Sequence, residues 1–300
     1  MDDQGLWVLI REAWTALSPH YESAIECIID ESDLEGRVWG VLLAVLTIEP
    51  DLTTPAHLLV RIPYTAAELY LARLNSAAQA GYLEEVDPGK FRLSDKGRTE
   101  LDRFISDARV AMSAANPLSA TDSKRLAGLL DKLVQSCIET DPPPDTWSVR
   151  LSYKLMPSID QSIPYIEQEF SCLSAYRDDA HLAAWQQSGL SATALETLTV
   201  IWRGDANSLN SIVMGVEYRG HSLWVYADAL AVLRERGYIS GDDDAVTITP
   251  TGKYFRERVE ADTDRYFFAP WSCLTSSEKA ELRSLLAKMR EGLKSSYPTQ

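Results

Sequence analysis

Cysteine is scarce in this chain. Only Cys27, Cys137, Cys172 and Cys273 occur in 300 residues, and none lies in a CxxC pair. That scatter excludes a cysteine-rich zinc site, and a chain of this size has no need of a disulfide framework, so a reducing compartment is expected. The histidines, His20, His57, His181 and His221, are as dispersed and offer no HxxxH or HxH spacing. No metal and no other cofactor is expected. Long apolar runs are also missing. The longest, Val38 to Ile48, is too short for a bilayer and reads as a buried core helix. The opening Met1-Asp2-Asp3 has no basic start of a secretory signal, so a cytoplasmic protein without membrane contact is expected. Positive charge is in deficit, with 29 Lys+Arg against 44 Asp+Glu and a net charge of −15. Affinity for nucleic acid rests on phosphate neutralisation, so this balance weighs against a general DNA binder. Catalytic signatures are absent too: there is no GxSxG, Walker A loop, GxGxxG or HExxH. Asp178 and Asp179 are helix neighbours whose carboxylates do not converge, so no catalytic residue is assigned.

What the chain does contain is an internal repeat. Ala80-Gly81-Tyr82-Leu83 matches Arg236-Gly237-Tyr238-Ile239, Leu93 to Arg98 matches Ile248 to Lys253, and Leu118 to Asp122 matches Leu274 to Glu278. The offsets are 237−81 = 156, 252−97 = 155 and 274−118 = 156. Ordered matches at one spacing indicate duplication.

Each copy predicts the same element order. Arg37–Thr47 and Ala192–Trp202 read as apolar helices, and Thr53–Val60 and Ser208–Val216 as short second helices. A third helix follows a Thr65-x-x-Glu68 capping box, with Leu71, Leu74 and Ala78 inward; its counterpart is Ser222–Glu235. Gly81 and Gly237 suit left-handed helix ends, and a two-stranded hairpin follows each. The expected fold class is therefore mainly α with small β wings (α+β), as two tandem winged-helix units arranged as a pseudo-dimer. The first unit spans residues 1–140, a proline-rich linker 141–147, and the second unit 148–300.

After the hairpins, Leu93-Ser-Asp-Lys-Gly97-Arg98 and Ile248-Thr-Pro-Thr-Gly252-Lys253 open long helices, and leucine-rich helices follow. These phrases resemble the MarR family of bacterial regulators over roughly residues 36–135 and 190–290. MarR proteins are homodimers, so a duplicated chain looks like a covalent pseudo-dimer. The second half, through Arg177 to Trp185 and Glu260 to Trp271, also resembles a group of actinobacterial helix-turn-helix proteins.

The resemblance implies DNA contacts from the third helices and wings, where Arg73, Asn75, Lys90, Arg92, His221 and Arg234 are the candidates. Asp242 to Asp244 at the second wing tip oppose a phosphate there. It also implies a small aromatic ligand between the winged units and the dimerisation helices. For that ligand the candidates are His181, Trp185, Tyr218, Glu260, Asp264, Arg265, Tyr266 and Trp271. An aromatic cavity around Trp185, Tyr218, Tyr266 and Trp271, with Arg265 at its polar end, is expected. Three readings stay open: a regulator or sensor binding a small aromatic or lipophilic ligand, with DNA as a weak partner; a unit that has lost DNA binding and serves ligands or protein partners; and an enzyme reusing the cleft.

Overall fold

The computed structural model describes residues 2–32, 34–158 and 162–296. Helices α1 (Asp3–Leu17) and α2 (Pro19–Glu31) precede a first segment. That segment comprises α3 (Gly36–Ile48), α4 (Pro55–Arg61), α5 (Ala67–Gln79), the hairpin β1 (Leu83–Asp87) and β2 (Lys90–Leu93), α6 (Asp95–Ala115) and α7 (Ala120–Ile138). Helices α8 (Trp147–Tyr153) and α9 (Ile163–Trp185) follow. The second segment runs through α10 (Ala192–Arg203), α11 (Leu209–Gly215), α12 (Leu223–Glu235), β3 (Ile239–Ser240), β4 (Thr247–Ile248), α13 (Pro250–Phe268) and α14 (Ser276–Ser296). Both hairpins are antiparallel, with Leu83 opposite Leu93 and Ile239 opposite Ile248.

The two hairpin-to-helix junctions carry the same bonds. Ser94 caps α6 by accepting from Gly97 N, and its hydroxyl donates to Gly81 O at 2.6 Å. Thr249 caps α13 by accepting from Gly252 N and donates to Gly237 O, also at 2.6 Å. Gly81 and Gly237 both have positive φ, at 81° and 68°. At Gly97 and Gly252 an added Cβ would stand 1.9 and 2.0 Å from the carbonyl oxygens of Tyr82 and Tyr238. Only glycine lets the helix backbone approach the strand so closely.

One local expectation fails. No side chain caps α5, so the Thr65–Glu68 box does not form; a reciprocal box forms instead between Thr54 and His57 at α4. The inward face of α5 is Tyr70, Leu74 and Ala77, while Leu71 is turned outward. The large Tyr70 ring takes the core position, and that rotates the apolar stripe by one residue.

Three hydrophobic cores organise the described residues. One joins α3 to α5 with the first hairpin and α6, around Trp39 and Phe91. A second joins α10 to α12 with the second hairpin, around Leu198 and Leu230. The third lies between them and draws on α1, α7, α9 and α14, including Ile10, Leu130, Phe170 and Leu286. This central core takes residues from both sides of 141–147, so that segment does not divide it. Ion pairs reinforce the α7–α14 contact: Arg125 with Glu281 at 2.7 Å, Lys132 with Glu278 at 2.9 Å, and Lys288 with Asp122.

Candidate functional site

A cleft of about 760 Å³ opens between α9, α13 and the first two helices of the second segment. Its floor includes Arg256, whose residue is only 2% exposed because it lies over the Trp202 ring, 5.0 Å from the centroid. Arg256 Nη2 meets Glu260 Oε1 at 2.6 Å, and Nε donates to Thr199 Oγ1 at 2.8 Å. Its Nη1 is buried without a partner. Four more arginines reach the cleft: Arg177 on α9, Arg203 on α10, Arg219 before α12 and Arg11 from α1. Its carboxylates are Asp178, Glu196, Asp205 and Glu260. Arg177 is held by Asp264 at 2.9 Å, and Arg219 by Glu196 at 2.7 Å. Glu196 Oε2 is buried and unmet. Burial raises the Glu196 carboxyl, and Arg219 opposes that shift.

His181 sits at 3.2 Å from Thr263 Oγ1, whose own proton goes to Val259 O at 2.7 Å. Thr263 must then accept from Nδ1–H, which leaves Nε2 as an acceptor. Burial, reinforced by the Arg256 charge, pushes His181 down to about 4, so the ring is neutral at pH 7.

Of the expected ligand residues, the fold brings His181, Tyr218 and Glu260 into this cleft. Asp264 stands behind it as the Arg177 partner. Trp185 is buried beside Tyr64, with ring centroids 6.1 Å apart. Trp271 is fully buried, packed edge-on against Phe267 and Phe268. Arg265 has 61% of its side chain exposed, pairs with Asp262 and lies over Tyr266. The expected aromatic cavity is therefore corrected to a polar one. The rings satisfy one another in the core, and Asp264 and Glu260 serve Arg177 and Arg256 rather than Arg265. The sequence reading missed Arg256, Arg177, Arg219 and Glu196; the Arg256-x-x-x-Glu260 spacing was the available signal.

The expected DNA contacts are turned inward or neutralised. Arg92 is bound twice by Glu84, Lys90 pairs with Asp87, and Arg234 pairs with Asp243. Arg73 is half-buried over Tyr70, and Asn75 is also half-buried. His221 Nε2 meets Tyr64 O at 3.0 Å. That last contact belongs to a clasp between the starts of the two third helices. Ala66 N donates to Arg219 O at 2.8 Å, and Gly220 fits against Leu69 so closely that a Cβ would stand 2.9 Å from it.

Residues 161–297 match the sequence model of a helix-turn-helix family. The second half carries a helix-turn-helix domain. At a coarse level that suggests a DNA-binding regulator. No curated protein and no solved structure matches the chain. Among the described residues, no helix is long and apolar enough to cross a membrane.

Proposed function

We propose that the chain is a duplicated, MarR-like helix-turn-helix sensor that binds a small molecule in the polar cleft and does not read DNA in this arrangement. Duplication is supported by the α7–α14 ion pairs. Asp122 and Glu278 are 156 residues apart, as are Lys132 and Lys288, and each acid pairs with the lysine of the other set. Arg125 and Glu281, also 281−125 = 156 apart, pair with each other. Reciprocal pairing of this kind is the signature of a twofold interface.

The clasp is the observation that carries the sensor reading. A dimeric helix-turn-helix protein places the N-terminal ends of its two reading helices in major grooves one turn apart, roughly 34 Å. Here those ends are joined by the Ala66–Arg219 hydrogen bond. Anisotropy titration against random duplex at physiological salt should show no sub-micromolar binding. Selection of a duplex bound at nanomolar affinity, with protections one turn apart, would sink the reading.

A second reading, docking of a protein partner, is favoured by α12. Trp224 is 75% exposed there beside Leu223 and Val232, in the place of a DNA-reading surface. Self-association by sedimentation velocity that disappears in Trp224→Ala would favour it.

A further inference from the structure

We infer that the polar cleft takes a small hydroxylated carboxylate, its oxyanion on Arg256 and a hydroxyl donating to Glu196 or His181. This rests on the reading of the cleft as a ligand site and names the ligand class. Arg256 is almost wholly buried, yet Nη1 has no partner, and Glu196 Oε2 is likewise buried and unmet. Buried polar groups in folded proteins are nearly always paired, so an unmet donor and an unmet acceptor on two residues that line one cleft mark places for ligand atoms. The donor is a guanidinium, whose planar edge matches a carboxylate. The acceptors, Glu196 Oε2 and His181 Nε2, call for an O–H rather than a second anion.

Charge selects further. Five arginines and four carboxylates line it, and counting the partners just outside, Asp264 on Arg177 and Arg61 on Asp178, makes six against five; with His181 neutral, one positive charge is in excess. Arg11 and Arg203 form no ion pair among the described residues. One negative charge balances that excess, whereas a phosphate monoester brings roughly two. The lining is predominantly polar, so an aromatic or lipophilic body gains little there.

Isothermal titration at pH 7 with gluconate, glucose 6-phosphate, glucose and glucosamine tests this. Gluconate should bind in preference to the other three. Arg256→Leu should weaken it by about tenfold or more, the loss expected for a charge-assisted bond. Gly215→Leu should abolish binding with the fold intact. Gly215 lines the cleft, a Cβ there meets nothing within 4 Å, and the corresponding place in the first half carries a long side chain, Arg61. Thermal unfolding of both variants confirms folding. Three results overturn the inference: no gluconate binding up to about 10 mM, unchanged affinity in both folded variants, or preference for glucose 6-phosphate. Preference for glucose or glucosamine, lost in Gly215→Leu, also overturns the carboxylate but leaves the cleft as a ligand site. The DNA titration tests the sensor reading separately.

Discussion

The two halves of the molecule each hold a cleft against counterpart helices, and the clefts differ in charge. Gly40, Leu43, Ala44 and Thr47 of α3 line one; Glu196, Thr199, Val200 and Arg203 of α10, each 156 residues on, line the other. His57, Leu58 and Arg61 of α4 with its C-cap Ile62 correspond in the same way to Ser211, Ile212 and Gly215 of α11 with its C-cap Val216, each 154 residues on. The first cleft, about 440 Å³, is closed by Trp147 and Leu151 of α8 and by Leu155 just after it, and is mainly apolar. The second is closed by α13 and holds the Arg256–Glu260–Thr199 set. At the matching places the first half has Leu101 (256−155), Ile105 (260−155) and Leu43 (199−156). The polar residues of the second cleft therefore form one coordinated group. A buried arginine is tolerable only where a carboxylate and a hydroxyl meet it.

That comparison can be broken most severely by moving the charge alone. Leu101 is 1% exposed, and Leu101→Arg would bury a guanidinium among apolar neighbours. It should cost about 4 kcal/mol or more, or abolish folding, as read by urea denaturation. The shared framework is tested by Gly97→Ala and Gly252→Ala. Each should lose about 3 kcal/mol, and the two losses should be equal, because both Cβ atoms collide with a tyrosine carbonyl. Unequal losses would show that the junctions are not equivalent. Within the polar cleft, Glu260→Ile should cost about 2 kcal/mol by leaving Arg256 without its carboxylate. The triple change Thr199→Leu, Arg256→Leu and Glu260→Ile should recover most of it, because it reproduces the apolar set.

Acid and alkali should then separate the cleft from the central core. His181 has a folded value of about 4, below the ordinary value of 6.5. The folded state binds fewer protons than the unfolded one between these values. Its contribution is complete above pH 6.5 and is lost as pH falls towards 4, on the order of 2 kcal/mol, and His181→Gln should remove that loss. Glu169, fully buried with both carboxyl oxygens unmet, is raised by burial to about 8. Its contribution is complete below pH 4.5 and is lost as pH rises towards 8. Glu169→Gln should therefore stabilise the protein by a similar amount near pH 8 and by nothing at pH 4. The smallest effect is expected at the wings. Arg92→Ala and Arg234→Ala remove exposed or partly exposed ion pairs and should each change stability by about 0.5 kcal/mol or less.

Much of the fold was legible because its signals are local. The apolar run at Val38–Ile48 is the buried α3, and Ser119 and Thr275 cap the last helices with Asp122 and Glu278 as their spacing predicts. The cleft was legible only in part. His181, Tyr218 and Glu260 drew attention as polar or aromatic residues in a distinctive stretch, whereas Arg256 reads as an ordinary charged position on a polar helix. Its burial depends on Trp202 and Thr199, more than fifty residues earlier, and no periodicity reports that distance.

Sequence alone determined the element order and the two glycines that let each long helix meet its hairpin, because turn geometry and the apolar period are properties of neighbouring residues. Tertiary structure decided which charges face one another. Asp264 holds Arg177 across 87 residues, and Arg265, next along the chain, is left to Asp262 and water. It also decided that the two third helices meet at Ala66 and Arg219 instead of standing a helical turn of DNA apart. A carboxylate finds its partner by distance through space, in a low-dielectric interior where one guanidinium excludes another, and that distance exists only after the chain has closed.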